Sequence, residues 1–89
     1  MKITISGLSM VKEGGRLKAY ADVIVEGSLL IKGLRVVQGT GRLFIAFPNE
    51  RSRMGRYHDI VHPLNPQMRK AFEDVVIQAY NTKTETERG

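Results

Sequence analysis

The stretch GRLFIAFPNERSRMGRYHDIVHPLN, Gly41 to Asn65, decides the architecture of this chain. It opens on an apolar strand, Arg42 to Phe47, with Leu43, Ile45 and Phe47 on one face and Phe44 and Ala46 on the other. Pro48 has no backbone donor and ends that ladder. Asn49 to Gly55 is predicted as a loop rich in arginine, and Arg56 to Val61 as a short fifth strand. His62-Pro63-Leu64 then leads to Asn65, a good helix N-cap, with Pro66 at the first helical position.

Towards the N-terminus the period stays at two. Ile3 and Ile5 alternate with polar residues, and Leu8 and Met10 resume with the phase shifted, which a bulge at Ser6-Gly7 explains. Glu13-Gly14-Gly15 is a hairpin signal, and Leu17, Ala19, Ala21, Val23 and Val25 share one face of the next strand. Glu26-Gly27 turns the chain again. Ser28 to Val37 is β-rich without clean alternation and reads as partly buried on both sides. Towards the C-terminus the period changes to 3.6: Met68, Ala71, Phe72, Val75, Val76 and Ala79 form one stripe of a helix from Pro66 to about Tyr80, and Ile77 falls opposite, among charges. Residues 81–89, NTKTETERG, hold no apolar side chain and read as a flexible polar tail. The expected fold is α+β: an antiparallel-rich sheet of about five strands in residues 1–80, with one C-terminal helix packed on one face. One helix covers one face, so the two-sided apolar fourth strand needs a further partner. A homodimer through a sheet edge or face is expected.

The 89 residues suffice for one domain with a modest core. No cysteine is present, which removes disulfides and thiolate metal sites and fits a reducing compartment. No apolar run approaches the roughly 20 residues of a membrane-spanning helix, and the start of the chain lacks a signal-peptide layout. A cytoplasmic protein without membrane insertion is expected. The net charge of +5 is uneven: residues 1–60 hold ten Lys/Arg against five Asp/Glu, whereas residues 61–89 hold four of each. Such an excess points to a polyanion as partner, nucleic acid first, although charge also keeps a small domain soluble.

Arg51, Arg53 and Arg56 are the densest cluster, with Glu50 and Asp59 the acids nearby. Guanidinium groups fit phosphate oxygens as a planar fork and stack on bases. Gly55 permits a sharp turn, and Tyr57 can stack on an exposed base. Arg69 and Lys70 lie near the positive end of the helix, where phosphate is welcome, but Glu73 and Asp74 follow four residues on and partly neutralise them. The candidate nucleic-acid contacts are therefore Arg51, Arg53, Arg56, Tyr57, Arg69 and Lys70. His58 and His62 on a strand would face one way and Asp59 the other, a poor zinc site with no convergent third ligand. No nucleophile–base pair is signalled, so neither catalytic residue, metal nor cofactor is expected.

Taken together, Arg35-Val36-Val37, Gly39, Leu43-Phe44-Ile45-Ala46-Phe47-Pro48, Arg51, Gly55 and Asp59-Ile60-Val61-His62-Pro63-Leu64-Asn65 resemble the SpoVG family, the stage V sporulation protein G or septation proteins of bacteria. Met1-Lys2-Ile3-Thr4 and Arg16-Leu17-Lys18-Ala19 fit as well, so the likeness runs to Tyr80. Arg42 departs from the pattern, where glycine is commoner, and so does Glu50, where a basic residue often precedes the arginine. The resemblance implies a small dimeric α+β regulator that binds DNA and RNA, has no enzymatic activity, and acts in septation or cell division, and in sporulation in spore formers. The alternative is a protein-interaction module of the division septum that meets division proteins without touching nucleic acid.

Overall fold

Four strands run antiparallel in the order in which the chain makes them: β1 (Ile3–Met10), β2 (Leu17–Val25), β3 (Leu29–Gln38) and β4 (Leu43–Ala46). The computed structural model describes residues 1–88. The β2–β3 connection shows why neighbours in sequence are neighbours in space. Glu26 and Gly27 take φ of 53° and 64°, and the Ser28 N–H donates to the Val25 carbonyl at 3.0 Å. Two successive left-handed residues make a type I′ turn, whose twist matches that of the strands it joins. Gly27 accepts this freely, whereas Glu26 carries a Cβ into a region that disfavours one.

The apolar alternation slips in β1 and again in β3, and both slips meet the same side chain of β2. In β1, Ile5 stands opposite Val23 and Gly7 opposite Asp22, which leaves Ser6 as the extra residue of the expected bulge. In β3, Leu34 stands opposite Ala21 and Ile31 opposite Val23, so the extra residue falls at Lys32-Gly33. Gly33 has φ 84°, and its N–H donates to Asp22 Oδ1 at 3.0 Å. The irregular pattern of β3 is thus a bulge, and not burial on both sides. With both bulges in place, Ile3, Ile31, Leu34 and Val36 join Ala19, Ala21 and Val23 on one buried face.

That face receives α1 (Pro66–Arg88). The helix starts where Asn65 Oδ1 accepts the Met68 N–H at 2.8 Å. Phe72 and Val76 are buried against the sheet, and Phe72 meets Phe47 edge-on with centroids 5.4 Å apart. Ile77, expected on the charged side, is half-buried and packs against the core. The helix also continues past Tyr80. Residues 81–88 contain no glycine or proline to stop it, and Lys83 Nζ reaches back to the Leu8 carbonyl on β1 at 2.9 Å. The polar run is therefore helical to Arg88, and Gly89 lies outside the described residues.

The strand count differs from the expectation of about five. Asn49–Arg51 (β5), expected as loop, pairs with Tyr57–Asp59 (β6), and the two form a separate two-stranded sheet. The expected fifth strand thus shortens and leaves the main sheet, because Gly55 at φ 80° folds the arginine run back on itself. The class stays α+β: an antiparallel sheet with a helix on one face, and a small hairpin set apart from it.

Replacing Asp22 by alanine leaves the Gly33 N–H without its acceptor and is expected to cost about 1–2 kcal/mol, whereas Asp22→Asn keeps an acceptor and most of the stability. Glu26→Asn places a residue that tolerates the left-handed region and should gain about 1 kcal/mol. Urea unfolding of the three variants beside the parent checks both signs.

Candidate functional site

The arginine run folds as the tip of a ribbon. Arg51 stands directly opposite Tyr57, so both side chains leave the same face, and Glu50 stands opposite His58 on the other. The turn closes through Ser52 N–H to the Arg56 carbonyl at 2.7 Å and Gly55 N–H to the Ser52 carbonyl at 3.0 Å. Ser52 Oγ accepts the Arg56 N–H at 3.3 Å. Arg53 and Met54 occupy the apex. Arg51 lies along the turn: a Cβ on Gly55 would stand 3.4 Å from Arg51 Nη2. Glycine is favoured here for its positive φ of 80°.

Arg51, Arg53 and Arg56 are exposed, and among the described residues none has a carboxylate within ion-pair distance. Tyr57 stays 69% exposed beside Arg51. A flat ring and three uncompensated guanidinium groups thus share one projecting hairpin, a surface able to bind phosphate and stack on a flat ligand. Apolar side chains are exposed here as well: Met54 at the tip, Ile60 just past β6 and Leu64 before the helix cap. The root of the ribbon is firmer, since Ile60 N–H donates to the Pro48 carbonyl at 2.8 Å and Val61 and Pro63 line a shallow apolar cleft with Leu29, Phe47 and Phe72.

The two helical candidates are not brought to this cluster. Lys70 Nζ sits 2.8 Å from Asp74 Oδ2, and that hydrogen bond and charge hold its ammonium protonated to higher pH than usual. Arg69 folds inward. Its guanidinium lies 5.4 Å from the centre of the Phe47 ring and makes a long 3.5 Å bond to the Ile45 carbonyl on the outer border of β4. Arg42 pairs with Glu73 at 3.2 Å. Glu73 and Asp74 are thus spent on nearby cations, and the ribbon keeps its charge.

Asp59 and His62 approach only to 3.9 Å on the surface. Among the described residues no three His, Asp or Glu side chains gather as metal ligands, and no helix is long and apolar enough to cross a membrane. Reasoning from sequence passed over the sheet face turned away from α1, where Tyr20 is exposed opposite Arg35 and Leu30 is exposed further along β3, opposite Ile24. The signal was present in β2, where Lys18, Tyr20, Asp22 and Ile24 occupy the phase opposite to the core residues.

Comparison with known proteins places this chain among relatives. The family model described as SpoVG matches residues 1–82. A protein of Staphylococcus saprophyticus named "Putative septation protein SpoVG" is 35% identical over 96% of this chain and 84% of its own length. One of the same name from Bdellovibrio bacteriovorus is 39% identical over 90% of this chain and 73% of its own. A third, from Staphylococcus aureus strain JH9, is 35% identical over 96% of this chain and 85% of its own.

If Arg69 is a packing residue, Arg69→Ala lowers stability by about 1–2 kcal/mol, the loss of a cation–π contact and a hydrogen bond. Lys70→Ala, which removes only an exposed pair, leaves the urea midpoint where it was. A shift of equal size for both variants contradicts this division of roles.

Proposed function

The chain belongs to the SpoVG family, and we propose that it is a nucleic-acid-binding regulator that acts in septation and grips its target with the β5–β6 ribbon. The observation that carries this reading is the set of three exposed guanidinium groups without carboxylate partners at one hairpin tip. A two-stranded ribbon is of a size that the major groove of duplex DNA admits, and arginine at its tip reaches phosphate oxygens on either side. Tyr57, beside Arg51, adds a ring for an unpaired base. Binding is the whole activity proposed.

The protein works as a homodimer in this reading. The ribbon and the segment that follows it expose Met54, Ile60 and Leu64, the hairpin has no core of its own, and an isolated two-stranded hairpin is marginal in water. Apolar contact with a second copy would order it and present two arginine tips at once. The same exposed side chains support the second reading, a module that docks on division proteins.

Two tips offer about six phosphate contacts, so the log–log slope of duplex affinity against salt should lie near −5. Replacing Arg51, Arg53 and Arg56 together by alanine should flatten that slope and weaken binding at least tenfold, read by anisotropy of a labelled duplex. Salt-insensitive binding, or binding unchanged in the triple variant, rejects the ribbon as the grip. Light scattering at micromolar concentration reports the dimer, and a pull-down in which division proteins persist after nuclease treatment favours the second reading.

A further inference from the structure

We propose that the face of the four-stranded sheet turned away from α1 is a second binding surface, built for single-stranded nucleic acid. It rests on the polyanion reading above but uses none of the ribbon's residues. Its centre is Tyr20, 45% exposed on β2. Tyr20 stands opposite Ser9 on one side and Arg35 on the other, and Arg35 in turn stands opposite Ala46. Ser9 and Ala46 are small, and the bulge residues Gly7 and Gly33 carry no side chain, so the ring has open space above it. Arg35 spends one N–H on the Phe47 carbonyl at 3.3 Å and keeps others for a phosphate. Phe44, half-buried on β4, is a second aromatic floor, seated against Gly39, where a Cβ would stand 3.0 Å from the ring.

The charge of this face selects the occupant. Lys32 projects from the β3 bulge next to Arg35, Lys18 stands at a register shift of β2, and Lys2 flanks β1; Asp22 and Glu26 oppose them. Asp22 already accepts the Gly33 N–H. The excess of positive charge on this face attracts a polyanion. Four strands also make a floor about 14 Å wide, too broad for a groove of duplex DNA but suited to splayed bases stacked on aromatic rings with phosphates along the rim. Duplexes hide the base faces that such a floor reads.

The test uses the full chain with a fluorescein-labelled twelve-residue oligothymidylate and, in parallel, a labelled twelve-base-pair duplex at one salt concentration. Tyr20→Leu is expected to weaken oligothymidylate binding at least fivefold and to leave duplex binding within twofold of the parent. Tyr20→Trp keeps a stacking ring and introduces the chain's one tryptophan. It should bind the oligonucleotide as the parent does, with its emission quenched at saturation. Unchanged affinity in Tyr20→Leu, or unmoved emission in Tyr20→Trp, overturns the proposal while the ribbon's duplex binding stands. Conversion of a dimer to a monomer by Tyr20→Leu in light scattering also overturns it, by showing a second copy on this face. If the parent binds the duplex and the triple arginine variant does so equally well, it is the ribbon reading that falls instead.

Discussion

Where β1 and β3 each gain an extra residue, both meet the carboxylate of Asp22: one oxygen accepts the Gly33 N–H at 3.0 Å, and the other is the nearest side-chain atom to a Cβ built on Gly7. Both outer ladders of β2 are therefore re-phased at the same level of the sheet. The buried face depends on this. Without the slip in β3, Ile31 and Leu34 could not face α1 together, because their spacing of three residues puts them on opposite sides of a regular strand. The local extra twist of a bulge also bends the sheet. The helix follows the diagonal that results, with its start on β4 and its later turns on β1.

The helix sorts the charges as well as covering the core. Glu73 and Asp74 take up Arg42 and Lys70, and Phe47 with the Ile45 carbonyl takes up Arg69. Cations that stand near α1 are compensated or folded in. Those of the ribbon lie away from its acids, and in water they stay available to an outside anion, since solvent lowers the cost of leaving them unpaired. The difference between a structural arginine and an available one is set by what the tertiary fold places beside it.

That is also why the sequence shows the clustering of one set and not the surroundings of the other. Local signals were legible: the Ser6-Gly7 bulge, the Asn65 cap with Pro66 behind it, the stripe of Phe72 and Val76, and the clustering of Arg51, Arg53 and Arg56. What failed depended on distant partners. Arg69 was read against Glu73, four residues on, because Phe47, 22 positions away, could not be seen beneath it. The run from Asn81 looked unstructured because it lacks apolar residues, and its contact with Leu8 lies at the other end of the chain. The β3 bulge was hidden because Asp22, its anchor, belongs to another strand. Ile77 was judged by helical angle alone, which does not say how closely a helix approaches a sheet.

The two borders of the main sheet share one further property. On β4 the Ile45 carbonyl is claimed by Arg69, and on β1 the Leu8 carbonyl is claimed by Lys83. A cation at each margin makes it costly for a foreign strand to zip on, since the incoming amide must displace a charged donor. Each border is thus blunted at one point, where an arriving strand meets a positive charge before it meets a free acceptor.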